Sequence, residues 1–310
     1  MPGPLFLNKS GWYGGFYWMK KASSFAINNK SQVKAMKRFA PIFLLPTVIA
    51  FAIGFLWPFI WGIYLSFFRF KTLGKTTFVG LENYSKVFGD GSFLSSFWFT
   101  VFFTVVSVLI INVIAFLVAF ALTRNIKGSN IFRTVFFMPN LIGGIVLGYL
   151  WKIILDAVII RFLDSTLALN STYGFWGLVL LVSWQQIGYM MIIYIAGIQN
   201  VPHEYIEAAK IDGAGGFQMM RYITIPTVMP SITVCTFLTL TNGFKLFDQT
   251  LALTDGKPFK ETEMLALNIY KSFYESTTNM GVGQAKAVIF FIVVVIIALA
   301  QLYSTKSKEA

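Results

Sequence analysis

Residues 207–230 read E-A-A-K-I-D-G-A-G-G-F-Q-M-M-R-Y-I-T-I-P-T-V-M-P. With Pro202 and Glu204 before them, they predict a short charged helix over 203–212. Pro202 suits the first helical turn, where its missing N–H costs nothing. Glu204 and Glu207 complement the positive helix end. Gly213 can take the left-handed conformation that ends a helix. Tyr205, Ala208, Ala209 and Asp212 fall at i, i+3, i+4 and i+7 on one stripe. The two alanines make a shallow spot that another protein can approach closely, with carboxylates beside it as ionic anchors. A long apolar run lies on each side, so the segment belongs in a loop at a membrane face. There a partner outside the bilayer can grip it.

Composition supports a membrane setting. Of 310 residues, 56% are hydrophobic and 12% charged, against about 25% charged in soluble domains. The net charge of +12 concentrates at the ends of apolar runs and in an N-terminal tail. That pattern fits anionic lipid and topology rather than nucleic acid. The chain has one cysteine and one histidine, so no internal disulfide and no His/Cys metal site can form. Cys235 reads as a small packing residue and His203 as an exposed helix-start residue.

A spanning helix needs about 20 apolar residues. Uncharged runs reach or approach this at Phe39–Phe68, Phe93–Thr123, Thr134–Trp151, Ser165–Val201, Tyr222–Phe244 and Ala287–Thr305. The expected fold is an all-α membrane protein with six transmembrane helices. Residues 39–305 form one membrane domain, between a basic tail at 1–38 and a short C-terminal tail at 306–310. The tail at 1–38 has seven basic residues and no acid, and 124–133 holds Arg124, Lys127 and Arg133 without an acid. The positive-inside rule then sets both termini, 124–133 and 202–221 in the cytoplasm. The segments near 69–92, 152–164 and 245–286 read as outer loops, the last with five lysines against five acids. The aromatic cluster Gly11–Met19, followed by Lys20 and Lys21, favours the headgroup region.

Catalytic motifs fail on inspection. Gly74-Lys75-Thr76 would need a glycine at 69 to be a phosphate loop, and 69 is arginine. One histidine, in the 202–230 loop, leaves no Ser-His-Asp set. The six apolar runs hold no charge, which argues against ion relays. Asn112, Gln185, Gln186, Tyr189, Thr236, Thr239, Thr241 and Asn242 are uncharged groups able to line a path for a polar solute. The same threonines and amides can instead bond between helices. A self-sufficient secondary transporter would show intramembrane charges or repeated halves, and an intramembrane enzyme a cluster of His, Asp or Glu. The only acidic cluster is Glu204, Glu207 and Asp212.

Residues 202–230 resemble the EAA loop of inner-membrane permease subunits of binding-protein-dependent ABC importers. The match is Glu207-Ala208-Ala209, Asp212-Gly213-Ala214, Ile223, Ile225-Pro226 and Pro230. Gly80-Leu-Glu-Asn-Tyr84, Met138-Pro139 with Trp151, Leu253-Thr-Asp-Gly-Lys-Pro258, Met280-Gly281 and Ala285 resemble further elements of the carbohydrate branch, the maltose and multiple-sugar type. Lys257 stands where that branch has glycine, which weakens the element as a turn. The resemblance implies a type I importer permease fold in a bacterial or archaeal cytoplasmic membrane. It implies that 203–212 is a coupling helix in the groove of a cytoplasmic ABC ATPase dimer, with Glu207 facing a basic residue. ATP and Mg would belong to that ATPase, not to this chain. A second, different permease subunit and an extracellular sugar-binding protein would complete the system, and the cargo would be a sugar or oligosaccharide. The alternative cargo within the family is a glycerol-phosphate-like solute, for which an Arg or Lys in the path would be expected.

Overall fold

The computed structural model describes residues 39–71, 75–124, 126–275 and 279–309; the tail at 1–38, with its aromatic cluster, lies outside them. The chain divides into two units, Met1–Gly62 and Ile63–Ala310. In chain order the elements begin with α1 (Phe39–Leu65), β1 (Phe68–Phe70), β2 (Thr76–Phe78), α2 (Glu82–Phe88), α3 (Gly91–Leu122) and α4 (Ser129–Phe137). Next come α5 (Gly144–Leu163), α6 (Ser171–Gln199), α7 (His203–Ile211), α8 (Gly216–Thr227) and α9 (Met229–Phe244). The chain closes with α10 (Asp248–Leu253), α11 (Leu265–Tyr274) and α12 (Met280–Glu309).

Four helices are long and apolar enough to cross a bilayer unbroken: α1, α3, α6 and the Met280–Gln301 part of α12. The count reaches six only if α4 with α5, bent by 100°, and α8 with α9, bent by 70°, are each one span. Proline explains the breaks. A ring inside a helix removes one N–H and clashes with the carbonyl four residues back. Pro139 sits in a 3-10 turn, Met138–Leu141, at the α4–α5 bend. Pro226 follows a π-turn at Met220–Thr224, and Pro230 opens α9. In α1 the same cause gives a π-turn at Ala52–Leu56 just before Pro58. Phe51, Phe55 and Phe59 stack along α1 at i, i+4 spacing.

Several sequence expectations need correction. The segment 152–164 is not an outer loop, because α5 continues past the third apolar run, through Lys152 and Asp156, to Leu163. Asp156 escapes hydrocarbon by accepting from the Leu167 N–H at 2.8 Å, so its charge caps the following turn. The segment 245–286 is not a plain loop, since it holds α10, α11 and the first turns of α12. The fold is not purely helical: β1 and β2 pair antiparallel, Arg69 opposite Thr77. Pro202 is the N-cap of α7 rather than a first-turn residue. The C-terminal tail from 306 extends α12 to Glu309. Lys257 does not weaken its turn, because the positive φ angles there belong to Asp255, Gly256, Phe259 and Lys260.

The core is the packing of α6 against α3 and α9. Phe103, Ile111, Leu178, Met190, Met191 and Tyr194 are almost fully buried there. Small residues set how closely helices approach, as is usual for packing in lipid. A Cβ at Gly188 would stand 1.8 Å from the Phe136 carbonyl oxygen, and one at Gly243 2.8 Å from Thr104 Oγ1. The first close approach sets the end of α4 against the middle of α6, and the second sets α9 against α3.

Asp90 caps α3, accepting from the Ser92 N–H at 3.0 Å, and pairs with Lys286 at 2.7 Å. Burial pushes its carboxyl up, but the Lys286 hydrogen bond and charge outweigh this and hold it below the usual aspartate range. A depressed carboxyl contributes stability at pH values above the unfolded-chain value, and that stability is lost as pH falls through the folded value. Asp90→Asn is therefore expected to flatten the fall of the unfolding temperature on acidification, as read by thermal melts of the purified protein. An unchanged acid limb would show that the pair contributes nothing.

Candidate functional site

Two features of the fold bear on function. The first is α7. Its last turn closes in a Schellman arrangement: the Ala214 N–H donates to the Ala209 carbonyl at 2.9 Å and the Gly213 N–H to the Lys210 carbonyl at 3.1 Å. Gly213 has φ +77°, a conformation that L side chains disfavour. Ile206 anchors the helix, packing with Val201 and Ile223 against the main core. Ala209 is half-buried, whereas Tyr205, Glu207, Ala208 and Asp212 are exposed. Glu207 makes no ion pair among the described residues. Sequence reasoning missed the large apolar side chains beside this stripe: Ile211 is 86% exposed and Phe217 74%. Ile211 follows from register, because it sits off the Ile206 face, whereas Phe217 lies on α8, beyond the turn at Gly213.

Phe120 and Thr123 at the end of α3, Gln199 at the end of α6, and His203 and Ile206 of α7 line one cavity of about 370 Å³. That cavity puts the loop after α3 and the α7 loop at the same end of the helices. Asp90 caps α3 at the other end.

The second feature is an amide-lined cavity of about 330 Å³ at the α4–α5 bend. Asn140, Gln185, Gln186, Asn242, Lys245 and Gln249 line it. Gln185 and Gln186 lie midway along the 29-residue α6. Gln185 Nε2 donates to the Ile142 carbonyl at 3.1 Å, satisfying a group that the break leaves without a helical partner. Gln249 Nε2 donates to Gln185 Oε1 at 2.8 Å. Gln186 Oε1 is buried and accepts no hydrogen bond. Sequence analysis named three of these side chains and missed Asn140, Lys245 and Gln249. The last two stand in what read as a loop.

The other polar candidates stand elsewhere. Tyr194 Oη donates to Asn112 Oδ1 at 2.7 Å, and Asn112 Nδ2 donates to Thr239 Oγ1 at 2.9 Å. This node ties α6, α3 and α9 together. Thr241 donates to the Phe237 carbonyl of its own helix. Thr236 is half-buried, and Tyr189 is 37% exposed. Cys235 is buried against the Met190 carbonyl, as a packing residue would be.

The family described as "Binding-protein-dependent transport system inner membrane component" matches residues 111–307, the stretch that contains the bent pairs, the amide cavity and α7. The chain belongs to this family. The permease is 44% identical over 276 residues to a probable starch degradation products transport system permease protein, AmyD, of Thermoanaerobacterium thermosulfurigenes. The match covers 86% of this chain and 94% of that one. It is 33% identical over 275 residues to an sn-glycerol-3-phosphate transport system permease protein, UgpA, of Brucella abortus, over 84% and 91% of the two chains. Among solved structures it superposes on a chain of a bacterial ABC transporter that imports the acidic polysaccharide alginate. That superposition has a TM-score of 0.77 at 20% identity and covers 89% of this permease and 99% of that chain. It shows that the two share the importer fold.

Proposed function

We propose that this permease forms half of the membrane path of an ATP-driven importer for a sugar or oligosaccharide. It crosses the membrane six times with both termini in the cytoplasm. A separate ABC ATPase dimer grips α7, a second permease chain completes the path, and an extracellular binding protein delivers the cargo. The observation that carries the reading is the amide cavity at a broken span, midway along α6. Discontinuous helices near the bilayer midplane are where transporters bind solutes. Amides that both donate and accept match the hydroxyls of a neutral sugar, and Gln186 Oε1 has a free acceptor for one. Together with Gln185 and Asn242 it forms the proposed contact set. Asn112, Thr236, Thr239 and Tyr189 belong to the helices that frame the path. The relative named for starch degradation products supports the carbohydrate class.

A second reading has its own support. Lys245 lines the same cavity, and relatives named for sn-glycerol 3-phosphate are 33% identical. A phosphate would seek that ammonium, although Asp248 also lines the cavity and offsets it. Uptake by the reconstituted importer separates the two readings. Maltotriose is expected to be taken up, and Gln186→Ala to raise its half-saturation concentration about three- to tenfold, the effect of one lost neutral hydrogen bond. Uptake of sn-glycerol 3-phosphate alone, abolished by Lys245→Ala, would establish the second reading instead.

A further inference from the structure

At the end of α3 away from α7, the protein opens into another polar cavity of about 500 Å³, bounded by α11, the start of α12 and the turn before α11. Glu263 in its wall is fully buried. Its Oε1 accepts from Asn268 Nδ2 at 2.6 Å. Its Oε2 accepts no hydrogen bond, and the nearest cation, Lys271 Nζ, stands 3.6 Å away. Lys286, 4% exposed, is by contrast fully occupied. It donates to Asn268 Oδ1 at 2.8 Å and Ser272 Oγ at 2.9 Å, and pairs with Asp90. Lys260 and Glu275 are exposed lining residues whose side chains make no hydrogen bond or ion pair among the described residues.

A buried carboxylate oxygen without a donor is costly and calls for a partner. The lining limits what that partner is. An anion would meet Asp90, Glu263 and Glu275, and a cation would meet Lys86, Lys260, Lys271 and Lys286. A neutral ligand whose hydroxyls both donate and accept offends neither set. It can donate to Glu263 Oε2 and Glu275 while accepting from Lys260. The volume of about 500 Å³ suits one small ligand, since such cavities run from about 300 to 1,000 Å³.

We infer that this cavity is a second carbohydrate site, a vestibule separate from the amide cavity and at the opposite end of the helices from α7. The inference rests on the carbohydrate reading above. In this site Glu263 Oε2 accepts a bond from a sugar hydroxyl, and Lys260 and Glu275 hold the ligand from the rim. No covalent step is involved, and the site stages cargo before it reaches the broken span.

The test uses the whole importer in lipid nanodiscs without its binding protein. Val282→Cys, in the cavity wall, is combined with Cys235→Ala and modified by a small methanethiosulfonate reagent. Maltotriose is expected to slow modification saturably. Glu263→Gln should raise the half-protecting concentration about tenfold, through loss of a charge-assisted bond. Glu275→Ala, an exposed change that does not threaten the fold, should raise it about threefold. Gln186→Ala, in the other cavity, should leave it unchanged. Absent protection, an unchanged half-protecting concentration in both acidic variants, or a shift caused by Gln186→Ala would overturn the site. Maltotriose uptake by the same complex reads the transport assignment separately. Uptake without protection sinks the vestibule alone, and protection by sn-glycerol 3-phosphate in place of maltotriose sinks both.

Discussion

Ala208→Trp and Glu207→Lys are each expected to abolish solute uptake while the membrane domain stays folded. Both side chains are exposed, so neither change disturbs the core, and α7 is held from its other face by Ile206. Their effect must come from whatever meets the helix. An indole cannot enter a groove shaped for alanine. A reversed charge opposite a basic partner costs on the order of several kcal/mol once water is excluded. The exposed Ile211, three positions after Ala208 on the same helix, adds apolar area beside them, so a partner of mixed apolar and basic character fits it. Lys210→Ala, which changes an exposed side chain off the alanine stripe, should be mild. Gly213→Val should also impair uptake, because a branched residue at φ +77° costs about 1–2 kcal/mol and loosens the Schellman closure. Co-purification of the ATPase and uptake of labelled solute are the two readouts. Normal values of both in Ala208→Trp and Glu207→Lys would make α7 a passive loop and end the coupling reading.

Gly188→Val is expected to prevent assembly of the membrane domain altogether. The added Cβ would stand 1.8 Å from the Phe136 carbonyl oxygen, 2.3 Å from its carbon and 2.8 Å from the Phe137 nitrogen. These are backbone atoms, so no rotamer change relieves the clash. Nor can α4 simply retreat, because the 3-10 turn that follows it is tied to α6 through Gln185 and the Ile142 carbonyl. Overpacking typically costs about 1–3 kcal/mol, and more where backbone atoms must move, a large share of a typical stability. Gly54→Ala, where an added Cβ meets nothing within 4 Å, is the control. Yield of monodisperse protein in detergent and its thermal midpoint decide the matter. A wild-type midpoint for Gly188→Val would mean that the close approach is dispensable.

Much of this was legible in the chain itself, for identifiable reasons. Hydrocarbon requires long uncharged runs, so α1, α3, α6 and α12 announce themselves by composition. The α7 loop was readable because caps and turns are local: Glu204 near the start, the stripe at helical spacing, and a glycine where φ must be positive. Prolines stand within or beside several of the apolar runs, but the sequence does not say how each one bends its helix. Whether a ring yields a π-turn, as before Pro58 and Pro226, or a 100° bend, as near Pro139, depends on what the freed carbonyls find nearby.

Tertiary structure alone decided which polar groups meet. Asn112, Thr239 and Gln186 look alike as uncharged residues in apolar runs. Packing of α3, α6 and α9 sets the first two against each other and Tyr194, while the α4–α5 bend leaves Gln186 facing a cavity. Burial of Glu263 and Lys286 was likewise invisible, because their segment reads as a charge-balanced loop until α11 and α12 fold over it. The one-dimensional pattern fixes which groups must avoid lipid. Only tertiary contacts, such as that of Asn112 with Tyr194 82 positions on and with Thr239 127 positions on, decide which partner relieves each of them.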